Sequence, residues 1–132
     1  MQGLCKIVYK YIMKKLICHC GGVEAEVNIP EPLIKTLRCN CTLCKRKGAI
    51  MTMIGPDDFK LIKGQELLKN YQYHTKVAKH FFCSNCGIYT HHNPRANPVM
   101  YGINLACIEG INTFELENVG LNDGDNHPLD KK

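Results

Sequence analysis

Hydrophobic and polar residues alternate along much of the chain with the period of two that is typical of a half-buried β-strand. Every second residue is apolar in residues 23–27 (VEAEV), and residues 99–106 (VMYGINLA) repeat the pattern with V, Y, I and L on one face. Turn sequences such as residues 21–22 (GG) and 55–58 (GPDD) separate these stretches. The pattern predicts a mainly β protein built from short strands.

Two other segments are less regular. Residues 66–82 could form a helix, but Tyr71, Tyr73 and Val77 favour β-structure, so two strands are predicted there. The tail after Gly120, LNDGDNHPLDKK, is polar and is predicted to lie along the surface. The 132 residues contain no internal repeat, linker or second domain. A chain of this length forms one domain, which buries roughly two thirds of the surface that the unfolded chain exposes.

The N-terminal segment, MQGLCKIVYKYIMKK, is basic and partly apolar. Lys6 and Lys10 interrupt its apolar run, and the chain has no stretch of the ~20 apolar residues that a membrane span needs. We therefore expect neither a secretory signal nor a membrane partner. Residues 1–15 are interpreted as an irregular extension or an added first strand. An organelle presequence is the alternative, because the first acidic residue is Glu24.

The cysteine content and the charge limit the class of protein. The chain has nine cysteines, an odd number, and most of them lie two or three residues apart. This spacing suits metal ligation in a reducing compartment better than a secreted disulfide framework, so a cytoplasmic protein is predicted. The formal charge of +5 counts every thiol as neutral. Two zinc sites with four and three thiolates would reduce it to about +2. The densest basic run is only Lys45–Lys47, so no nucleic-acid partner is expected.

Two cysteine pairs each precede a glycine. Cys18 and Cys20 stand before Gly-Gly, and Cys83 and Cys86, in CSNCG, stand before a single glycine. Residues i and i+2 of a strand face the same side, so Cys-x-Cys can offer both sulfurs to one metal. Cys-x-x-Cys-Gly is the tight turn of zinc ribbons, in which glycine permits a positive φ. We predict that the four cysteines form one closed zinc site, which ties the start of the chain to its far half.

A second cluster, CNCTLC, contains only three ligands, Cys39, Cys41 and Cys44. Structural zinc sites are closed, whereas catalytic or ligand-exchange sites keep one coordination position free. We therefore interpret these three cysteines as an open, functional metal site and as the candidate catalytic residues. The alternative is that Cys5, Cys107 or a histidine completes a second structural site.

Four segments carry a resemblance to a known family: CHCGGVEAEV, CNCTLCKRKGA, FFCSNCGIYTHHNP and GINLACIEGI. In order and spacing they resemble the glutathione-dependent formaldehyde-activating family, whose domain also occurs in centromere protein V. The resemblance runs from about Leu16 to the C-terminus and so assigns residues 16–132 to the zinc-binding domain. It implies two antiparallel sheets in a tent-like β fold and two zinc ions per chain. The implied ligands are Cys18, Cys20, Cys83 and Cys86 for a structural zinc, and Cys39, Cys41 and Cys44 for a labile, partly occupied catalytic zinc.

The resemblance also implies a carbon–sulfur lyase-type enzyme, which joins glutathione or a related thiol to formaldehyde and gives S-hydroxymethylglutathione. A zinc ion with three thiolate ligands is a poor Lewis acid for making hydroxide, but it readily accepts another sulfur. Coordination would hold the substrate as a thiolate at neutral pH, where a free thiol is mostly protonated. Lys45, Arg46 or Lys47 could steer the carboxylates of the peptide.

A second hypothesis belongs to a different class of protein. Thiols add to formaldehyde without help, so the alternative is a zinc-stabilised binding module, or a glutathione carrier without significant catalysis. An exposed pocket at the three cysteines would favour the enzyme or the carrier, and a fourth protein ligand would favour the module. The sequence leaves the oligomeric state open.

The remaining polar candidates are interpreted as structural. His91 and His92 are adjacent, so they are expected on opposite faces of a strand. His19 is expected to point away from the metal. The other histidines are expected at the surface or in the core (His74, His80, His127), and three tyrosines are expected to pack the sheets (Tyr71, Tyr73, Tyr101).

Overall fold

A computed structural model describes residues 10–124 of the chain. They form ten strands, one single-turn α-helix and three 3-10 turns. The strands are β1 (Lys10–Ile17), β2 (Glu24–Glu31), β3 (Leu37–Cys39), β4 (Met51–Ile54), β5 (Phe59–Lys63), β6 (Leu68–Tyr71), β7 (Lys79–Cys83), β8 (Tyr89–Asn93), β9 (Tyr101–Asn104) and β10 (Gly120–Asn122). The helix is α1 (Cys44–Lys47), and the 3-10 turns are Pro56–Asp58, Leu105–Cys107 and Thr113–Glu115.

The strands form two sheets. The smaller sheet has the order β1-β2-β5, and the larger has the order β10-β3-β4-β9-β8-β7-β6. Neighbouring strands among residues 10–124 are antiparallel except β10 and β3, which run parallel. The prediction of a mainly β, single-domain protein with two sheets is confirmed.

The main core lies where the two sheets face each other. Ala25, Val27 and Ile29 point inward from β2, where they pack with Leu16 of β1 and Ile103 of β9. The period of two in residues 23–27 therefore reports the inner face of the smaller sheet. An isolated bridge between Leu16 and the segment after β9 adds a second link between the start of the domain and its far half.

Several predicted strands are found, with changed boundaries. Residues 66–82 do contain two strands, β6 and β7, which pair with each other. The strand expected from residue 99 begins only at Tyr101: Val99 is 61% exposed in the preceding turn, and Leu105 already belongs to a 3-10 turn. Tyr101 packs as expected, because its ring stacks on Phe59 with centroids 4.4 Å apart.

Both ends of the described region contain a strand. The tail after Gly120 is expected to lie along the surface, and its first residues form the exposed strand β10, which pairs with β3. Leu121 is 69% exposed there, so backbone hydrogen bonds rather than burial hold this strand. At the other end β1 begins at Lys10, so residues 10–15 form part of a strand. Residues 1–9 and 125–132, with Cys5 and His127, lie outside the described residues. Within residues 10–124 no helix is long and apolar enough to cross a membrane.

Gly64 allows the chain to pass close to the turn that follows Cys20. Its φ is +94°, and an added Cβ would meet Gly22 O and would lie 2.7 Å from Val23 Cα. We expect Gly64→Ala to destabilise the protein by about 2–4 kcal/mol, because backbone strain adds to overpacking. Gly48→Ala is the matched control: the φ of Gly48 is +66°, but an added Cβ would have no neighbouring atom within 4 Å. Urea unfolding should show that the free energy of unfolding of the control falls by only about 1 kcal/mol. Equal costs would contradict the close approach.

Candidate functional site

Four cysteine sulfurs meet at the edge of the molecule where β1 and β7 end. Cys18 and Cys20 follow β1, Cys83 is the last residue of β7, and Cys86 lies in the next turn. The four sulfurs lie within 4.8 Å of one another, with 3.6 Å between Cys18 and Cys20 and 3.7 Å between Cys20 and Cys83. Ligands of a tetrahedral ion with bonds of about 2.3 Å are separated by about 3.8 Å. The four cysteines could therefore hold a metal ion.

Each cysteine pair spans a turn that follows a strand. The expectation that Cys18 and Cys20 share one face of a strand is wrong, because β1 ends at Ile17 and the two cysteines flank a turn. Backbone N–H groups of Gly22 and Val23 donate to the Cys20 and Cys18 sulfurs at 3.4 and 3.3 Å. The turn brings the two sulfurs together and provides the donors that stabilise thiolates.

Glycine supports each turn, and His19 lies between the paired cysteines. Gly21 has φ +80° and Gly87 has φ +79°, the second as the Cys-x-x-Cys-Gly sequence predicted. His19 is exposed in its turn, and none of its atoms joins the four sulfurs. The glycines therefore set the backbone conformation of both turns, and this conformation brings the cysteine sulfurs together.

The protonation of these thiols favours a bound cation. A hydrogen bond from Asn85 and one from the Gly22 backbone N–H lower the pKa of Cys20 to about 6. Burial raises the pKa of Cys83 to about 11. Cys83 therefore needs a positive partner before it can ionise beside a second thiolate, and a metal ion would be such a partner.

The second cluster lies at the end of β3, in the larger sheet. Cys39 is the last residue of β3, Cys41 lies in the following turn and Cys44 opens α1. Their sulfurs also lie within 4.8 Å of one another, and the Cys44 backbone N–H donates to Cys41 Sγ at 3.2 Å. Among residues 10–124 no fourth cysteine, histidine or carboxylate ligand joins them. This set could hold a metal ion with one position left for a ligand from outside.

Cys107 does not complete either cluster. Its thiol donates to Tyr89 O at 3.6 Å and accepts from Asn104 Nδ2 at 3.5 Å. Burial raises its pKa to about 12. It is therefore a neutral, hydrogen-bonded core thiol, and the alternative in which Cys107 caps the three-cysteine cluster is excluded by its position.

Hydrogen bonds within the three-cysteine cluster already favour one thiolate. A hydrogen bond from Cys44, with support from Cys41, lowers the pKa of Cys39 to about 5. The pKa of Cys44 is raised because its thiol donates to Cys39 and because it is buried. The cluster therefore holds negative charge in a partly buried place, which suits a cation.

The three cysteines line an open cavity of about 660 Å³. Ligand sites of proteins usually have volumes of about 300–1,000 Å³, so a small peptide-sized molecule fits. Its walls combine apolar side chains with polar groups: Leu37, Thr42, Met51, Met53, Tyr73, His74, Thr75, Ala78, His80, His92, Pro94, Arg95, Ala96, Asn122 and Gly124.

β10 forms one wall of the three-cysteine cluster. Asn122 Nδ2 donates to Cys39 Sγ at 3.5 Å, and the Asn40 backbone N–H donates to Asn122 O at 3.2 Å. Gly124 approaches so closely that an added Cβ would lie 2.5 Å from Cys39 Sγ and 2.7 Å from Cys41 Cβ. The sequence did not predict this strand, because its residues are polar and its role depends on pairing with β3 rather than on a buried face.

Gly124 gives a prediction for the open cluster. Gly124→Ala should force Cys39 and Cys41 apart and weaken metal retention about tenfold or more at this site alone, since changes to the groups that hold metal ligands in place typically cost 10–100-fold. Gly120→Ala, in the strand that precedes Gly124, is the matched control, because its Cβ would meet only Thr36 O at 3.5 Å, an ordinary contact. Metal analysis after graded chelation measures both. Equal retention in the two variants would contradict the close contact.

The sequence did not predict three of the side chains that line the cavity. Tyr73 was expected to pack the sheets, but its hydroxyl lies 4.0 Å from Cys41 Sγ, and burial raises its pKa to about 12. His80 and His92 also line the cavity. His91 lies on the opposite face as predicted, where its ring stacks on Phe81 with centroids 4.7 Å apart. Only the alternation of faces within β8 was visible in the sequence.

The basic run after the three cysteines does not line the cavity. Lys45 and Arg46 are exposed, and Arg46 donates to Thr42 O at 2.6 Å. Lys47 turns inward: its Nζ lies 2.9 Å from His80 Nδ1 and 3.7 Å from the centre of the Tyr89 ring. The expectation that this run steers a substrate is not supported by its position. Among the described residues, Arg95 is the lysine or arginine that lines the cavity.

The fold and the two clusters define a small β domain with one closed and one open cysteine site. The chain belongs to the glutathione-dependent formaldehyde-activating enzyme family, whose sequence model matches residues 13–118. A Halomonas elongata protein that carries the provisional name of such an enzyme is 31% identical over 77 residues, which cover 52% of this chain and 48% of that protein. The match thus spans about half the length of this curated relative.

A solved structure shares the fold. A crystal structure of a Rhodobacter sphaeroides protein, determined as a structural-genomics target, is similar with a TM-score of 0.78 and 44% sequence identity. The similarity covers 82% of this chain and 99% of that one. The family match ends at residue 118, so β10, which begins at Gly120, lies beyond it.

Proposed function

We propose that this chain is a zinc-dependent carbon–sulfur lyase-type enzyme that joins glutathione, or a related thiol, to formaldehyde and gives S-hydroxymethylglutathione. One observation carries the proposal: three convergent cysteine sulfurs without a fourth protein ligand among residues 10–124 line an open cavity of about 660 Å³. Family membership supports the choice of glutathione and formaldehyde. We also propose a cytoplasmic location, since free thiols in this number persist in a reducing compartment.

Zinc is the metal that we propose for both clusters, with two ions per chain. Sets of four cysteines are typical of structural zinc, and the separations of 3.6 and 3.7 Å between neighbouring sulfurs fit its tetrahedral geometry. Zinc at Cys39, Cys41 and Cys44 would supply a soft acceptor that keeps a substrate thiol in its thiolate form at neutral pH. A free thiol with a pKa near 8.5 is only a few per cent ionised there, so full ionisation is worth roughly 1.5–2 kcal/mol.

The chain's own groups bind and orient the reactants. The thiolate sulfur attacks the carbonyl carbon, the C–S bond forms, and the π electrons move to the oxygen, which then takes up a proton. Tyr73 keeps its proton because its pKa is about 12, so its hydroxyl can donate a hydrogen bond to a sulfur beside Cys41. Arg95 lines the cavity and suits a carboxylate of the peptide, since a guanidinium binds carboxylates in a bidentate manner.

A second candidate function is a glutathione carrier or a zinc-stabilised binding module. The uncatalysed addition of thiols to formaldehyde is fast, and a tens-fold gain from ionisation is modest, which favours a carrier. The open cavity favours a small ligand over a protein or chromatin partner, because the three cysteines are not capped by another side chain among residues 10–124.

The proposal is tested by exchange kinetics. Nuclear magnetic resonance can follow the interconversion of glutathione, formaldehyde and S-hydroxymethylglutathione at equilibrium. We expect the metal-loaded protein to raise the exchange rate constant at least about tenfold over buffer that contains the same free zinc concentration. An exchange rate equal to that of buffer, with glutathione still bound, would favour the carrier and contradict the enzyme.

A further inference from the structure

His80 and His92 form a buried pair beside the three-cysteine cluster. They occupy paired positions on β7 and β8, and their rings stack with centroids 5.5 Å apart and planes 16° apart. They are only 8% and 6% exposed, yet both line the cavity that the three cysteines share. Each ring therefore has one edge in the protein interior and contact with the cavity.

Lys47 determines which nitrogen of His80 carries the proton. An ammonium group can only donate, so the Lys47 Nζ contact of 2.9 Å makes His80 Nδ1 an acceptor. Burial, with the nearby Lys47 charge, lowers the pKa of His80 to about 4, so the ring is neutral at pH 7. A neutral ring with an accepting Nδ1 carries its proton on Nε2.

Tyr89 does the same for His92. Burial raises the pKa of Tyr89, so the phenol keeps its proton. Its hydroxyl lies 2.5 Å from His92 Nδ1 and 3.5 Å from Gly102 O, and the closer atom is assigned as the acceptor of its hydrogen bond. Burial also lowers the pKa of His92 to about 3, which keeps that ring neutral. We therefore assign the Nε2–H tautomer to both rings.

Neither Nε2–H has a hydrogen-bond acceptor among residues 10–124. Buried donors in native proteins are almost always paired, so two unpaired donors on adjacent strands need an explanation. The cavity beside them is large enough for a ligand, and the three cysteines and Tyr73 are among the other polar residues that line it. Acceptor oxygen in a ligand bound in this cavity would satisfy these donors.

We propose that His80 and His92 form a donor pair for the oxygen of the aldehyde substrate, an assignment that rests on the proposed function. As the thiolate sulfur forms the C–S bond, the C=O π electrons move to oxygen, and the two N–H groups stabilise the developing charge. The oxygen then takes a proton from solvent, which received the proton that the thiol lost. The imidazoles keep their protons throughout. Lys47 is a positioning residue, because it fixes the tautomer of His80 and polarises its ring.

Substitutions at His80 separate donation from packing. His80→Phe keeps a stacking ring without a donor, whereas His80→Gln keeps an N–H near the position of Nε2. We expect the phenylalanine variant to lose about 10- to 100-fold of the protein-dependent exchange rate, and the glutamine variant to recover part of it. His91→Phe is the matched control, because it is a buried histidine in β8 that does not line the cavity. It should keep the rate.

Calorimetry separates this proposal from the proposed function, because S-hydroxymethylglutathione also forms without a catalyst. The unaltered protein should bind the premixed adduct several-fold more tightly than S-methylglutathione, which lacks the hydroxyl group, and His80→Phe should lose that preference while its affinity for S-methylglutathione stays within about twofold. If the unaltered protein does not accelerate exchange but shows this His80-dependent preference, the donor pair stands and the enzyme function fails. If it accelerates exchange and His80→Phe keeps both rate and preference, the donor pair is overturned.

The role of Lys47 has a spectroscopic signature. Two-bond proton–nitrogen correlation spectra of the histidine rings report which nitrogen is protonated. We expect the Nε2–H tautomer at His80 in the unaltered protein and a mixture of tautomers in Lys47→Met, which keeps most of the aliphatic stem. A dominant Nδ1–H tautomer at His80 in the unaltered protein would overturn the assignment.

Discussion

Cys83→Ser is expected to yield a protein that does not fold. Cys83 is fully buried, and it belongs to a small core cluster with Cys18 and Val23 at the place where β1 meets β7. Structural zinc carries on the order of 10 kcal/mol of binding energy that is coupled to folding, and a whole domain is stable by only about 5–15 kcal/mol. Far-ultraviolet circular dichroism and metal analysis after purification measure the loss. We expect little native signal and less than one bound metal ion.

Cys107→Ser is the matched control for this change. Cys107 is also buried, but it belongs to neither cluster, and a serine hydroxyl can keep its hydrogen bonds with Asn104 and Tyr89. The control should fold with both metal ions and lose no more than about 1–2 kcal/mol. A native spectrum for Cys83→Ser would show that the closed cluster does not hold the fold together.

Cys41→Ser should fold and lose its response to glutathione. Cys41 lies in the turn before α1, outside the main core, and its sulfur faces the cavity. A ligand bound only by the folded state stabilises it by about 2.7 kcal/mol when its concentration is 100 times the dissociation constant. We expect the unaltered protein to show this gain in thermal unfolding with glutathione, and Cys41→Ser to lose most of it.

Two further melts make this result specific. Cys107→Ser should keep the glutathione-dependent rise, since Cys107 does not line the cavity. S-methylglutathione, which has no free thiol, should stabilise the unaltered protein much less than glutathione does. An unchanged glutathione response in Cys41→Ser would mean that the thiol binds elsewhere, and the binding-module hypothesis would then replace the enzyme.

The cysteine clusters could be predicted from the sequence because metal ligation is a local code. Turns such as Cys83 to Gly87 fix ligand spacing within a few residues, and the chemistry of thiolates limits what such sets can do. The same holds for β2, whose alternation reports a buried face regardless of its partner strands. The backbone conformation of Cys18 and Cys20 was missed, since a turn and a strand can both bring the sulfurs of Cys-x-Cys together.

The cavity walls could not be predicted, because they depend on partners far apart in the chain. β10 has no buried apolar face, so only its parallel pairing with β3 reveals that Asn122 reaches Cys39. Tyr73 and His80 look like ordinary core or surface residues in the sequence, and they reach the cavity because Tyr73 lies in the loop that joins β6 to β7 and His80 lies near the start of β7. Long-range pairing leaves little trace in local composition.

Cobalt substitution tests the central claim most directly, namely that the three-cysteine cluster accepts a substrate thiol as its fourth ligand. Cobalt(II) reports its thiolate ligands by visible and near-ultraviolet absorption, so each added sulfur changes the spectrum. We expect glutathione to increase the sulfur-to-cobalt charge-transfer absorption of the doubly loaded protein until one equivalent is bound. Cys41→Ser, with cobalt retained in the closed cluster, should show no such increase. A spectrum of the unaltered protein that stays constant while calorimetry records bound glutathione would contradict the account.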